Sequence, residues 1–165
     1  MKVDRYYLEI NSIKNLNEVI SPKQNLIIEK ISPPNIELNK FFYKNIGKKH
    51  NWVDRLSWSE EKWINYVSLK NVKTYVLKHK DNLVGFFETI EHQEKNETEI
   101  AYFGILEEYQ NKKLGSYLLS EAIKKSFENE VSRVWVHTCS LDHKNALNNY
   151  ISRGMKIFKS EILNF

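Results

Sequence analysis

Tyr102-Phe-Gly-Ile-Leu-Glu-Glu-Tyr-Gln110-Asn-Lys-Lys-Leu-Gly115-Ser-Tyr-Leu-Leu119 is the stretch that decides how the chain is read. Its first half is aromatic and aliphatic, as a buried strand is, and its second half opens a helix. The helix is marked by Leu114, Leu118, Ala122, Ile123 and Phe127 at three to four residue spacing. A helix start leaves backbone N–H groups without partners and gathers partial positive charge. The turn Gln110, Asn111, Lys112, Lys113, Leu114, Gly115, Ser116 therefore has the main-chain donors, the small residue and the lysines to wrap a pyrophosphate. By residue type alone the same pattern also describes an ordinary loop.

Outward from this junction the elements alternate. Three strand-like runs precede it, Val72 to His79, Leu83 to Gln93 and Thr98 to Leu106, with Asp81-Asn82 as the turn between the first two. They predict an antiparallel meander. After the helix, Arg133 to Cys139 is a strand rich in β-branched and aromatic residues. Asp142 is the expected cap of a further helix with Ala146, Leu147, Tyr150 and Ile151 on its apolar face, stopping at Gly154 before a last strand from Lys156 to Phe165. Upstream, residues 3–10 and 26–31 read as short strands, the second ended by Pro33 and Pro34. Leu38, Phe41, Phe42 and Ile46 predict a helix closed by Gly47 in a left-handed conformation. Ser57 with Glu60 has the form of a capping box opening a second helix on Trp63, Ile64 and Val67. The outcome is a mixed α/β (α+β) fold, with helices covering a central sheet.

Composition excludes several classes. At 165 residues the chain is one domain, 1–165, and 41% hydrophobic residues are enough for a core, which a disordered segment lacks. No run of about 18 apolar residues spans a bilayer, and residues 1–10 hold no apolar stretch of secretory type, so neither a membrane nor export is expected. One cysteine, Cys139, permits no internal disulfide and fits a reducing, cytoplasmic setting. A net charge of +4 favours an acidic ligand, but the lysines are scattered and form no basic stripe of the kind nucleic acid requires.

The junction resembles the coenzyme A loop of the GCN5-related N-acetyltransferase (GNAT) family: Arg or Gln, two residues, Gly, one residue, Gly or Ala. Gln110 takes the first place and Gly115 the last, while Lys113 stands where the family usually has its first glycine. Downstream, Ala146, Tyr150 and Gly154 fall at the family's spacing, and His143 occupies the position of its common asparagine. The resemblance covers roughly residues 72–160. It implies a mostly antiparallel twisted sheet splayed around a coenzyme A cleft and flanked by about four helices. Residues 1–71 would form a variable acceptor-binding half and 72–165 the CoA-binding half.

The same resemblance implies an N-acetyltransferase with acetyl-CoA as cosubstrate, no metal, a small-molecule or peptide amine as acceptor, and room for a homodimer. A non-catalytic acyl-CoA-binding domain is the alternative from another class. Acetylating an amine needs a base, because an alkyl ammonium with a pKa of about 10.4 does not attack at neutral pH. Glu99 resembles the family's catalytic glutamate, and Glu88 on the preceding strand is the substitute. Tyr150 either protonates the leaving thiolate or is a core aromatic. The Phe103 amide would face the acetyl oxygen, and Ile105 would pair with the pantetheine. Two features are independent of the family. His137, Cys139, Asp142 and His143 lie within seven residues, but no second ligand pair of zinc spacing exists, so a buried thiol and a hydrogen-bonded histidine beside the cofactor cleft, with His137 in reach of substrate, are expected rather than a metal or a cysteine nucleophile. Trp52 and Trp58 either box an amine or anchor a helix to the sheet.

Overall fold

The period-two strands and period-3.6 helices form where the sequence predicts them, and what they build is described by a computed structural model for residues 1–164. In chain order the elements are β1 (Lys2–Ile10), β2 (Leu26–Lys30), α1 (Ile36–Gly47), α2 (Glu60–Val67), β3 (Val72–His79), β4 (Asn82–His92), β5 (Glu97–Ile105), α3 (Leu114–Phe127), β6 (Arg133–Cys139), α4 (Ala146–Ser152) and β7 (Lys156–Asn164). The expected end of the last strand, Phe165, lies outside the described residues. The strands form one sheet in the order β2-β3-β4-β5-β6-β1-β7. Every neighbouring pair is antiparallel except β5 and β6.

One face of the sheet is covered by α3, whose Leu118, Leu119, Ala122 and Ile123 pack on Leu8, Leu77, Phe87, Ile100 and Val134. On the other face α1 sets Phe42 and Ile46 against Val76 and Phe86, the Phe42 and Phe86 rings stacked at 5.0 Å. Helices on both faces bury the apolar residues of β3 and β4 from both sides, which is why those strands read as near-continuous apolar runs. Among the described residues no helix is long and apolar enough to cross a membrane.

β1 is hydrogen-bonded between β6 and β7, so residues from both ends of the chain interleave in the sheet. Three expectations are corrected. The cap of α2 is Ser59, whose side chain accepts from the Lys62 amide, rather than Ser57. Gly47 is not left-handed. It is the last residue of α1, and a glycine is required there because a Cβ would stand 2.4 Å from Trp52 Cβ. Asp142 does not cap α4, which begins after Asn145; its carboxylate instead accepts from Thr138 Oγ1 and the Cys139 amide, tying the loop back to β6.

Gly154 does behave as the sequence predicts, with φ +108°, and a Cβ there would lie 2.2 Å from the Asn15 carbonyl oxygen. Gly154→Ala is therefore expected to lower the unfolding free energy in urea by about 1–3 kcal/mol or more, through the forced φ and the backbone clash together. An unchanged midpoint would contradict that backbone approach.

Candidate active site

The parallel pair is the exception that makes the site. β5 and β6 are paired only from Glu97 to Glu99 and from Arg133 to Trp135. Beyond that the strands part. On the other edge of β5, Tyr102 opposes Glu88 while Ile100 opposes Thr89, so Ala101 is the extra residue of a bulge. A bulge bends its strand and re-aims side chains. Tyr102 thereby joins the aromatic layer of α1 and α2, and Phe103 turns to the α3 side. Between the diverging strands lies a cleft of about 1050 Å³, reached by Glu99, Phe103, Ile105, Val136, His137 and Tyr150.

At the wide end α3 begins. Lys113 immediately precedes it in the left-handed conformation, φ +65° and ψ +11°, so the chain adopts there the turn that a glycine would make easily. Asn111 is also left-handed, φ +63°. No side chain caps α3 and its first turn holds no acidic residue, so its leading N–H groups remain available to an anion. Gln110 donates to the Ile105 carbonyl at 3.3 Å and fixes the loop's approach. Asn149 on α4 donates to the Gly115 carbonyl at 3.2 Å, and Ser116 Oγ to the Lys113 carbonyl at 3.1 Å. A Cβ on Gly115 would meet nothing nearer than 3.9 Å, so its missing side chain leaves open space rather than relieving a clash. Gln110, Asn111, Lys113, Gly115 and Ser116 line the cleft. Leu114 is instead part of the core, and Lys112 sits over the Tyr109 ring at 5.7 Å.

Tyr150 is 6% exposed, and among the described residues its hydroxyl makes no hydrogen bond. Burial, reinforced by Asp142, pushes that hydroxyl well above the usual tyrosine range and keeps it protonated. A buried tyrosine serving only the core normally satisfies its O–H. This one meets the cleft instead. Glu99 is half-buried and accepts from His92 Nε2 at 3.0 Å, with the His92 ring stacked on Trp135. His137 lies on β6 beside Tyr7, ring centroids 5.6 Å apart. Burial raises the Cys139 thiol, with Asp142 adding to it, which disfavours the thiolate a nucleophile needs. His143 accepts from the Asn145 amide through Nδ1, and His50 Nδ1 reaches the Leu141 carbonyl at 3.1 Å across the cleft.

Arg55 is a residue that sequence reasoning does not single out. Its guanidinium is 7% exposed and forms a two-point pair with Glu88, itself 1% exposed, at 2.9 and 3.0 Å. Tyr66 also donates to Glu88, and the Arg55 backbone amide donates to Tyr43 Oη. Five rings surround the guanidinium, with Tyr66 and Tyr102 nearest at 4.3 Å and Trp58 at 4.8 Å. The aromatic box is therefore built, but the chain's own arginine fills it. Both oxygens of Glu88 are engaged, so its work is to hold Arg55, and Trp52 packs on Tyr43 and Tyr102. An arginine among three tryptophans, with one acid directly after the apolar run 83–87 of β4, was the available signal.

Comparison with known proteins bears on this geometry. The model of the acetyltransferase (GNAT) family matches residues 36–155. The chain belongs to the GNAT family. No curated protein sequence matches it. The GNAT protein of Sphaerobacter thermophilus shares the fold with a TM-score of 0.71 at 15% identity, covering 96% of this chain and 49% of that one. An aminoglycoside acetyltransferase from an uncultured soil sample gives 0.66 at 16%, over 81% and 90%. An IAA acetyltransferase of Bacillus cereus gives 0.61 at 24%, over 81% and 79%. The chain spans only about half to three-fifths of several solved structures that it matches along nearly its whole length.

Removing one partner of a buried ion pair leaves an uncompensated charge and costs about 3–5 kcal/mol. Arg55→Met is expected to destabilise by that order in urea unfolding, and the double variant Arg55→Met/Glu88→Leu to regain most of the loss. A single variant within 1 kcal/mol of wild type would show that the pair does not hold the loop.

Proposed function

We propose that the protein is an acetyl-CoA-dependent N-acetyltransferase that acts by direct transfer to a primary amine, with cosubstrate and acceptor bound together. The observation that carries this is Lys113, a residue with a Cβ held in a left-handed turn so that the uncapped start of α3 opens on the cleft. Backbone strain of that kind costs of order 1–3 kcal/mol and persists where the surrounding structure holds it. The residues present fit the cosubstrate: free amides without nearby acid for the pyrophosphate, the open side of Gly115, and the unpaired edge of β5 at Phe103 and Ile105 for the pantetheine.

When bound, acetyl-CoA supplies an activated thioester. The chain has three tasks around it. The Phe103 amide faces the developing negative charge on the acetyl oxygen. Glu99 supplies the negative charge toward which the ammonium proton departs, directly or through an intermediary. Tyr150, held protonated and unpaired, gives its proton to the departing sulfur. The acceptor reaches the cleft past Trp52, Trp58 and Asp54. Because Arg55 fills the aromatic box, the acceptor's charged amine is received on the Glu99 side. Small amines and peptide amines both satisfy these requirements.

The test begins with melting curves in acetyl-CoA, which should rise as the native state is stabilised by about 2.7 kcal/mol at a hundredfold excess over Kd. Thiol release is then followed with tyramine, spermidine, kanamycin and alanine amide. Glu99→Gln should lower turnover by about 10²- to 10⁴-fold at neutral pH. Tyr150→Phe should lower it roughly 10- to 100-fold at an unchanged melting temperature. Binding with no turnover on any amine would favour the non-catalytic acyl-CoA-binding domain, and no melting shift would remove both readings.

A further inference from the structure

His137 is the first residue of β6 beyond the divergence that shares a face with Glu99. The last paired residues are Glu99 and Trp135, whose side chains lie on one face, and a step of two along β6 returns to it. At that position no strand closes over the imidazole from the β5 side. It lines the cleft together with Glu99 and Ala101, and among the described residues it makes no hydrogen bond. A half-buried histidine normally has a partner for at least one ring nitrogen.

The surroundings explain why the ring is free. Glu99 faces it from β5, Arg5 and Tyr7 from β1, Glu161 from β7, and Asp142 from the loop after β6. These groups satisfy one another. Tyr7 donates to Glu161 at 2.7 Å, Arg5 lies 3.7 Å from the same carboxylate, and Asp142 is taken by Thr138 and the Cys139 amide. Burial, with Arg5 adding to it, holds His137 below its ordinary pKa of 6.5 against the opposing pull of Glu99 and Asp142, so the imidazole is neutral at pH 7. Glu99 differs in being fixed by His92 at 3.0 Å.

We propose that His137 is a catalytic residue that takes the proton from the acceptor amine, with Glu99 as the fixed carboxylate that stabilises the imidazolium so formed. The assignment rests on the acetyl-transfer reading and refines it. As the amine nitrogen bonds to the acetyl carbon, its proton passes to the free ring nitrogen of His137. The carbon–sulfur bond breaks, its electron pair stays on sulfur, and sulfur takes a proton from Tyr150. The amine proton is released from His137 to water and Tyr150 is reprotonated from water. The products are the amide, the thiol and, from an ammonium acceptor, one proton.

The experiment has two arms on the full chain. First, diethylpyrocarbonate modification is mapped by mass spectrometry over the five histidines. His137 should react at pH 7, with a half-point below 6.5, and acetyl-CoA should slow it at least tenfold. Second, with the amine from the panel above that turns over, His137→Gln and His137→Asn should lower kcat/KM by about 10²-fold or more, with KM for acetyl-CoA unchanged. The acid limb of the wild-type pH profile should vanish, and added imidazole should restore part of the rate to His137→Gly. A His137 that reacts equally with and without acetyl-CoA, while acetyl-CoA still raises the melting temperature, overturns the assignment and leaves the function standing. So does wild-type turnover in the folded variants. Absence of any melting shift overturns the function, and this assignment with it.

Discussion

A strand that turns away from its neighbour exposes a row of backbone donors and acceptors, which a folded chain tolerates where water or a ligand satisfies them. β5 does this after Glu99, where the bulge at Ala101 ends its pairing with β6 while β4 stays hydrogen-bonded along its other edge. The wedge so formed decides the rest. It sets α3 with its amides at the wide end, brings Tyr150 of α4 up to one side, and puts Glu99 and His137 near the apex on the opposite face. β1 keeps the far half of the sheet together. Its pairing with both β6 and β7 fixes Arg5 and Tyr7 beside His137.

The N-terminal helices contribute a second apolar layer and, beside it, a wall of the cleft. Arg55, Glu88 and five rings form a packed polar knot between the 51–58 loop and β4. A buried ion pair is close to break-even energetically, so its value here lies in fixing the position of a loop that has no regular structure of its own. With the guanidinium inside the box, Trp58 and Tyr66 present a preformed surface to the cleft.

Much of this was legible in the chain because it is local. Strand-like runs parted by Asp81-Asn82 marked β3 to β5, the spacing of Leu114, Leu118 and Ile123 marked α3, and Gly154 was needed where a positive φ occurs. Gln110 and Gly115, with Ala146, Tyr150 and Gly154, resembled one family, which the match over residues 36–155 bears out. What remained hidden is long-range. Nothing in Lys2 to Ile10 says that it pairs with β6, because pairing partners are chosen by tertiary context. Ser57 and Ser59 both suit a cap, and only the geometry of the chain entering α2 separates them. Two carboxylates on adjacent strands, Glu88 and Glu99, look alike as candidate bases until Arg55 and Tyr66 are seen to occupy one of them. The Lys113 turn is a tertiary override of residue preference.

Amide hydrogen exchange, measured residue by residue with and without saturating acetyl-CoA, tests the central claim most directly. If the diverging edges and the start of α3 form the binding surface, exchange should slow at the amides of Ala101 to Ile105 and of Leu114 to Ser116. The antiparallel strands β2 and β3, remote from the wedge, should be unaffected. Protection confined to other parts of the chain, or none at concentrations that raise the melting temperature, would contradict the account.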